Sequence, residues 1–272
     1  MGETRYIELN NEVIVRDRHG KYQLSKDKEA LDAYLSDSID KRMKKFSSED
    51  EKIQYLSDNK YYEKEIIEMY SKEFIFELYK YINSFGFEFQ SYMSASKFYE
   101  NYALKTDDGK YILENYEDKI LICSLAIAAG DEDTAKKVAE KLIRQEFQPA
   151  TPTFLNLGRE RAGQLVSCFL LTVEDSCEGI SYAVSSANHL SKIGGGVALN
   201  LTRLRARGES IKGIEGASGG VVGVAKMLEQ SFSYFNQMGA RQGAGAVYLN
   251  ILHADFENLM DTKKINADER VR

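Results

Sequence analysis

Apolar positions along this chain follow two regimes. From about Ser25 to Ile143 they recur at helical spacing, as in Ile66, Ile67, Tyr70, Phe74 and Leu78. Ile120 to Ala129 is apolar almost all round, which predicts a buried helix, and Gly130 suits its C-terminal cap. Asp131–Asp133 starts a second helix, with the stripe Ala135, Val138, Ala139, Leu142 and Ile143 on one face. Ahead of these, Tyr6–Leu9 and Glu12–Val15 read as two short strands around an Asn10-Asn11 turn. The tyrosines of residues 25–98 read as amphipathic core edges, in preference to a radical relay.

At Gln148 the character changes. QPATPTFLNLG holds both prolines of the chain, Pro149 and Pro152, and ends in a glycine, so it is not helix throughout. The change divides the chain into a mainly helical region, 1–147, and a second region, 148–272. Leu165–Leu171 is a nearly continuous apolar run, which fits a strand buried on both faces. Asp175-Ser176 caps a helix from about Cys177 to Ile193. Gly194, Gly195 and Gly196 break that helix, and Val197, Leu199 and Leu201 then alternate with polar or small residues as a strand does. A helix near 221–237, a glycine-rich stretch at 237–246, a strand over Val247–Leu252 and a helix from Asp255 to Leu259 follow. Strand, helix, strand, helix, strand implies parallel pairing in an α/β fold.

A net charge of −6 argues against non-specific nucleic-acid binding. Positive charge is instead local. Arg203, Arg205 and Arg207 fall two apart, so extended chain would project all three to one side, beside bare glycine backbone. Forked guanidinium donors in that setting form an anion site suited to phosphate. The competing reading is a surface hairpin with solvated arginines. Three cysteines, Cys123, Cys168 and Cys177, are too few and too irregular for a disulfide framework or a zinc site, and no metal site is predicted. On burial statistics Cys168, inside an apolar run, would be an inert core thiol. The first residues have no apolar signal core and no apolar run is long enough to span a membrane, which makes the cytoplasm the expected location. A dinucleotide fold is disfavoured, because Gly243-Ala244-Gly245-Ala246 follows a helix and precedes a strand, the reverse of that fingerprint.

PATPTFLNLG, LVSCFLL, the GGG-strand-arginine stretch and QMGARQGAGAVYLN occur in this order. Together they resemble the large catalytic subunit of ribonucleotide reductase, most closely the aerobic class Ib form of bacteria, over about Tyr6 to Arg272. The resemblance implies a helical region followed by the first strands of a ten-stranded α/β barrel. It implies that Cys168 is one of the redox-active cysteines that reduce the substrate's 2′ position. It places Thr151, Thr153, Ser167, Gly196 and Arg241 against a ribonucleoside diphosphate, and Asp175, Arg205, Ile211, Lys212 and Gln237 around an allosteric dATP, dTTP or dGTP, with Mg. The helices near 178–192 and 221–236 match those that pack across the family's homodimer. The partners implied are a small subunit carrying a metal-radical cofactor and a thioredoxin- or glutaredoxin-like reductant. The radical cysteine, its carboxylate and the second reducing cysteine match nothing here, and the stop at Val271-Arg272 reads as an interruption. The chain is therefore expected to be inactive without the remaining C-terminal part of the subunit. A stand-alone nucleotide-binding module using the same loops is the alternative.

Overall fold

A computed structural model describes residues 5–161, 163–193, 195–235 and 245–266. The chain forms two compact units, residues 1–162 and 163–272.

The first unit is helical. It runs through α1 (Arg5–Val13), α2 (Leu24–Tyr34), α3 (Glu49–Asp58), α4 (Lys64–Glu68), α5 (Lys72–Asn83), α6 (Tyr92–Lys97), α7 (Tyr116–Ala128), α8 (Glu132–Ile143) and α9 (Thr151–Asn156). α7 is its axis. Ile120, Ile122 and Leu125 are fully buried, and α5 and α8 pack beside it with Leu78, Ile82, Ala139 and Leu142. The ends are set locally. Asn115 and Asp118 make a capping box at the start of α7, Ala129 closes it in the left-handed region, and Asp131 caps α8 by accepting from the Thr134 N–H.

Two sequence expectations change here. Residues 5–13 are a helix and not a strand pair: Tyr6 and Leu9 share a helical face, and the Tyr6 ring meets those of Tyr34 and Tyr92 at 5.2 and 5.6 Å. Burying that face outweighs the weak turn preference of Asn10-Asn11. The stripe from Ile66 to Leu78 belongs to two helices, because Ser71 caps α5 through the Phe74 N–H and breaks the run.

The first unit also buries charge. Glu114 is fully enclosed and accepts hydrogen bonds from the Tyr62 hydroxyl (2.9 Å), the Leu104 N–H (2.9 Å) and the Arg159 guanidinium (2.5 Å). Burial opposes its ionisation, but Arg159, Lys119 and these hydrogen bonds prevail and hold its pKa below the usual range. At Asp118 burial prevails, pushing the carboxyl up to about 6 although Lys52 lies 2.5 Å away. Lys119 donates to the carbonyls of Leu155 and Leu157 at the end of α9, and burial lowers its pKa.

The second unit begins with β1 (Cys168–Thr172), α10 (Cys177–Lys192) and β2 (Gly196–Asn200), and continues with α11 (Gly220–Tyr234), β3 (Gly245–Tyr248) and α12 (Phe256–Asp261). The three strands pair in parallel in the order β1-β2-β3. Its core forms where Val197 and Leu199 of β2 meet Ala183 and Ala187 of α10 and Val221, Ala225, Leu228 and Phe232 of α11. A Cβ on Gly245 would lie 2.1 Å from the Phe232 ring, so only glycine lets β3 come this close to α11. The predicted strand over Val247–Leu252 ends at Tyr248, where the chain turns. Among the described residues no helix is long and apolar enough to cross a membrane.

Candidate functional site

Strand register divides the sheet into two faces. Phe169 pairs with Val197, and Leu171 with Leu199 and Val247, on the side holding the core. Cys168 pairs with Gly196, Leu170 with Ala198 and Ala246, and Thr172 with Asn200 and Tyr248, on the opposite side. That second face is open in the described chain: Leu170 is 79% exposed, and Cys168 is exposed as well. The strand expected to be buried on both faces is therefore buried on one. An apolar run reports strand propensity as well as burial, so by itself it does not say which faces are covered.

Ser167, Cys168 and Gly196 come together at the start of this open face. The Gly196 N–H donates to the Ser167 carbonyl at 2.6 Å, and Gly196 has no side chain to cover the neighbouring sulfur. The β2 strand can approach because the preceding residue is Gly195, where a Cβ would sit 2.6 Å from the Phe169 ring. Cys168 is thus an accessible thiol beside bare backbone and not a core thiol. Cys177 is exposed at the first turn of α10, and Cys123 is buried in α7 with its pKa raised by burial. Thr151 and Thr153 lie in the first unit at the start of α9, where the Thr151 hydroxyl meets that of Tyr102 at 3.2 Å.

A second cluster forms at the other end of the strands. Asp175 accepts from Arg205 Nε at 2.7 Å, and Arg205 Nη1 donates to the Ser210 carbonyl at 2.8 Å. Glu174 pairs with Arg203 beside it. The chain does not run extended through these arginines. The Leu204 N–H bonds to the Leu201 carbonyl, turning the backbone directly after β2. Two arginines still converge, because the acidic pair Glu174-Asp175 draws both. Ile211 and Ile214 exchange hydrogen bonds of 3.1 and 3.0 Å around Lys212 (φ 51°) and Gly213 (φ 81°), a two-residue turn with both centres left-handed. Glycine accepts that conformation freely, whereas Lys212 is strained by about 1 kcal/mol. Hairpin closure thus holds Arg205 and Lys212 on one short loop. Two cations, an acidic partner and tight backbone make a site that can exchange an internal ion pair for a phosphate-bearing ligand. Gln237 and Arg241 lie outside the described residues. The sequence reading missed the Glu174–Arg203 pair, although two adjacent acids ahead of an R-x-R spacing signal it. Among the described residues no cluster of three or more His, Cys, Asp or Glu side chains is arranged to hold a metal ion.

Three family models match in succession: "Ribonucleotide reductase N-terminal" over residues 6–87, "Ribonucleotide reductase, all-alpha domain" over 88–162, and "Ribonucleotide reductase, barrel domain" over 166–272. The chain is 53% identical over 268 residues to the ribonucleoside-diphosphate reductase subunit alpha of Bacillus subtilis (strain 168), covering 98% of this chain and 38% of that protein. It is 45% identical over 267 residues to the subunit of the same name from Mycoplasma genitalium, covering 98% of this chain and 36% of that one. With the Treponema pallidum subunit it shares 31% identity over 226 residues, 82% of this chain and 26% of the relative. The chain thus spans well under half the length of these relatives.

Proposed function

The chain belongs to the ribonucleotide reductase large-subunit family, and from that premise we propose that it provides one reducing thiol and the nucleotide-effector loop of a class Ib ribonucleoside-diphosphate reductase. The observation that carries this reading is the exposed Cys168 thiol in register with side-chain-free Gly196 on the open face of a parallel sheet. Among the described residues the thiol is exposed and its register partner carries no side chain, which suits approach by a ribose.

The reaction replaces the substrate's 2′-hydroxyl by hydrogen. The C2′–O bond breaks, the oxygen leaves as water, and two thiols supply two hydrogens and become a disulfide. Cys168 is one of these thiols. The second thiol and the radical-bearing cysteine would come from a further stretch of subunit, and a small partner subunit would supply the metal-radical centre. A thioredoxin- or glutaredoxin-like dithiol would then reduce the disulfide. In the second unit, Ser167 and Gly196 would meet the diphosphate substrate through hydroxyl and backbone; Thr151, Thr153 and Arg241 are substrate residues by the family resemblance alone.

The arginine loop would take the effector, dATP, dTTP or dGTP. Arg205 would exchange part of its bond to Asp175 for phosphate oxygens, Asp175 would turn to the ribose hydroxyl, and Ile211, Lys212 and Gln237 would close around the nucleotide. Any Mg²⁺ would arrive on the triphosphate. Helices α10 and α11, with Tyr182 and Met227 exposed, suit packing against a second copy in a homodimer. The cytoplasm is the location that fits this chemistry.

The test is Cys168→Ser in this chain joined to, or mixed with, the rest of a subunit and supplied with small subunit, dTTP and a dithiol. Diphosphate reduction should vanish while folding is unchanged, because an exposed thiol exchanged for a hydroxyl leaves no buried polar group behind. Turnover retained by the variant would overturn the assignment. No turnover by the unmutated assembly would favour a nucleotide-binding module without catalysis.

A further inference from the structure

Beyond β3 the chain is laid along the base of the arginine loop, contact by contact. The Leu201 N–H donates to the Tyr248 carbonyl at 2.9 Å, and the Asn250 N–H to Thr202 Oγ1 at 3.0 Å. His253 Nε2 meets the Leu204 carbonyl at 2.7 Å, and the Arg207 N–H reaches both oxygens of Asp255, at 3.1 and 3.0 Å. Residues 248–255 thus hold residues 201–207 along their length.

Most of this converges on one carboxylate. Asp255 is 3% exposed, and its Oδ2 also accepts from the Val221 N–H, in the first turn of α11, at 2.9 Å. Asn258 Nδ2 donates to its Oδ1 at 3.2 Å. A Cβ on Gly220 (φ +75°) would lie 2.4 Å from Oδ2, so the backbone closes directly on the acid. His253 holds Asp255 from behind. A carbonyl only accepts, so Nε2 carries the proton towards Leu204, and Nδ1 accepts from the Asp255 N–H at 3.0 Å.

The arrangement has two consequences. Three N–H donors from separate parts of the chain converge on the oxygens of this one side chain. Its Oδ2 also satisfies a first-turn N–H of a 15-residue helix, which ties the start of α11 to the arginine loop. We infer that Asp255, oriented by His253, is the positioning residue of the nucleotide-binding arginine loop. It fixes the backbone that carries Arg205 and Arg207. The inference rests on the reading of that loop as a nucleotide site.

The experiment measures Mg-dTTP binding to the 272-residue chain by calorimetry, well below the unfolding midpoint. Asp255→Ala should weaken dTTP at least tenfold. Asp255→Asn should stay within threefold of the parent, because its amide oxygen can still accept from Arg207 and Val221 while its NH₂ meets a flipped Asn258. A residue serving stability alone would lower the midpoint and leave affinity unchanged. Parental affinity in Asp255→Ala overturns the inference, as does an equal loss in the Ala and Asn variants, which would assign the effect to charge and not to position. Should Asp255→Ala fail to fold, His253→Ala decides: weakening of threefold or more supports the inference, and unchanged binding overturns it. Arg205→Ala separates the two levels. If it too binds dTTP as the parent does, the nucleotide reading of the loop fails first.

Discussion

Replacing Arg205 by alanine tests the nucleotide loop most directly. Arg205 and Asp175 have side chains 31% and 32% exposed, so water screens their 2.7 Å pair. Such a pair contributes at most about 1 kcal/mol to folding. The Ser210 carbonyl loses one donor but lies on an exposed stretch where water replaces it. The unfolding midpoint of the second unit should therefore barely move. Nucleotide binding should move a great deal. A charge-assisted bond to phosphate contributes about 1.5–3 kcal/mol, which is roughly a tenfold to 150-fold change in dissociation constant. Without Arg205, the Asp175 carboxylate faces the incoming triphosphate uncompensated, which favours the upper part of that range. Asp175→Asn removes this repulsion, so the double variant should lose less than the two single changes added together. Calorimetric titration with Mg-dTTP, run beside thermal unfolding of the same samples, reads both quantities. Parental dTTP affinity in Arg205→Ala would show the loop to be a solvated hairpin.

Two further predictions concern the first unit. Arg159→Met should destabilise it by about 3–5 kcal/mol, because it strands the Glu114 carboxylate in a dry interior; Glu114→Gln added to it should recover part of the loss, and denaturant midpoints measure both. Asp118 sets a pH dependence. Its folded-state pKa is raised from 3.8 to about 6, so the folded form holds the proton more tightly than the unfolded form, and Asp118 makes stability fall as pH rises from about 4 to 6. At about 1.36 kcal/mol per pH unit, the full effect is about 3 kcal/mol, reached above pH 6. Asp118→Asn should remove that slope from unfolding curves between pH 4 and 7, and a slope unchanged in the variant would refute the assignment.

Local chemistry made much of this protein legible from its sequence. The buried α7, the stripe of α8, the Asp131 and Ser176 caps and the strand-helix alternation after residue 165 all rest on contacts within about four residues. The spacing of Arg203, Arg205 and Arg207 was legible too, but not the turn after β2 or the Glu174 and Asp175 partners, about 30 residues away, that bring the first two together. Tertiary structure decided what depends on distant partners. Residues 5–13 became a helix because Tyr34 and Tyr92 offered the Tyr6 face a place to bury. Cys168, inside an apolar run, became accessible because, among the described residues, α10 and α11 cover one side of its strand and leave the other exposed. Glu114 with Arg159, 45 residues apart, and Asp255 with Arg207, 48 apart, left no periodic trace. An acid in sequence looks the same whether solvated or enclosed. Whether it meets water, an arginine or two backbone N–H groups and an amide is fixed only when the chain closes over it, since burial is a property of the whole packed unit.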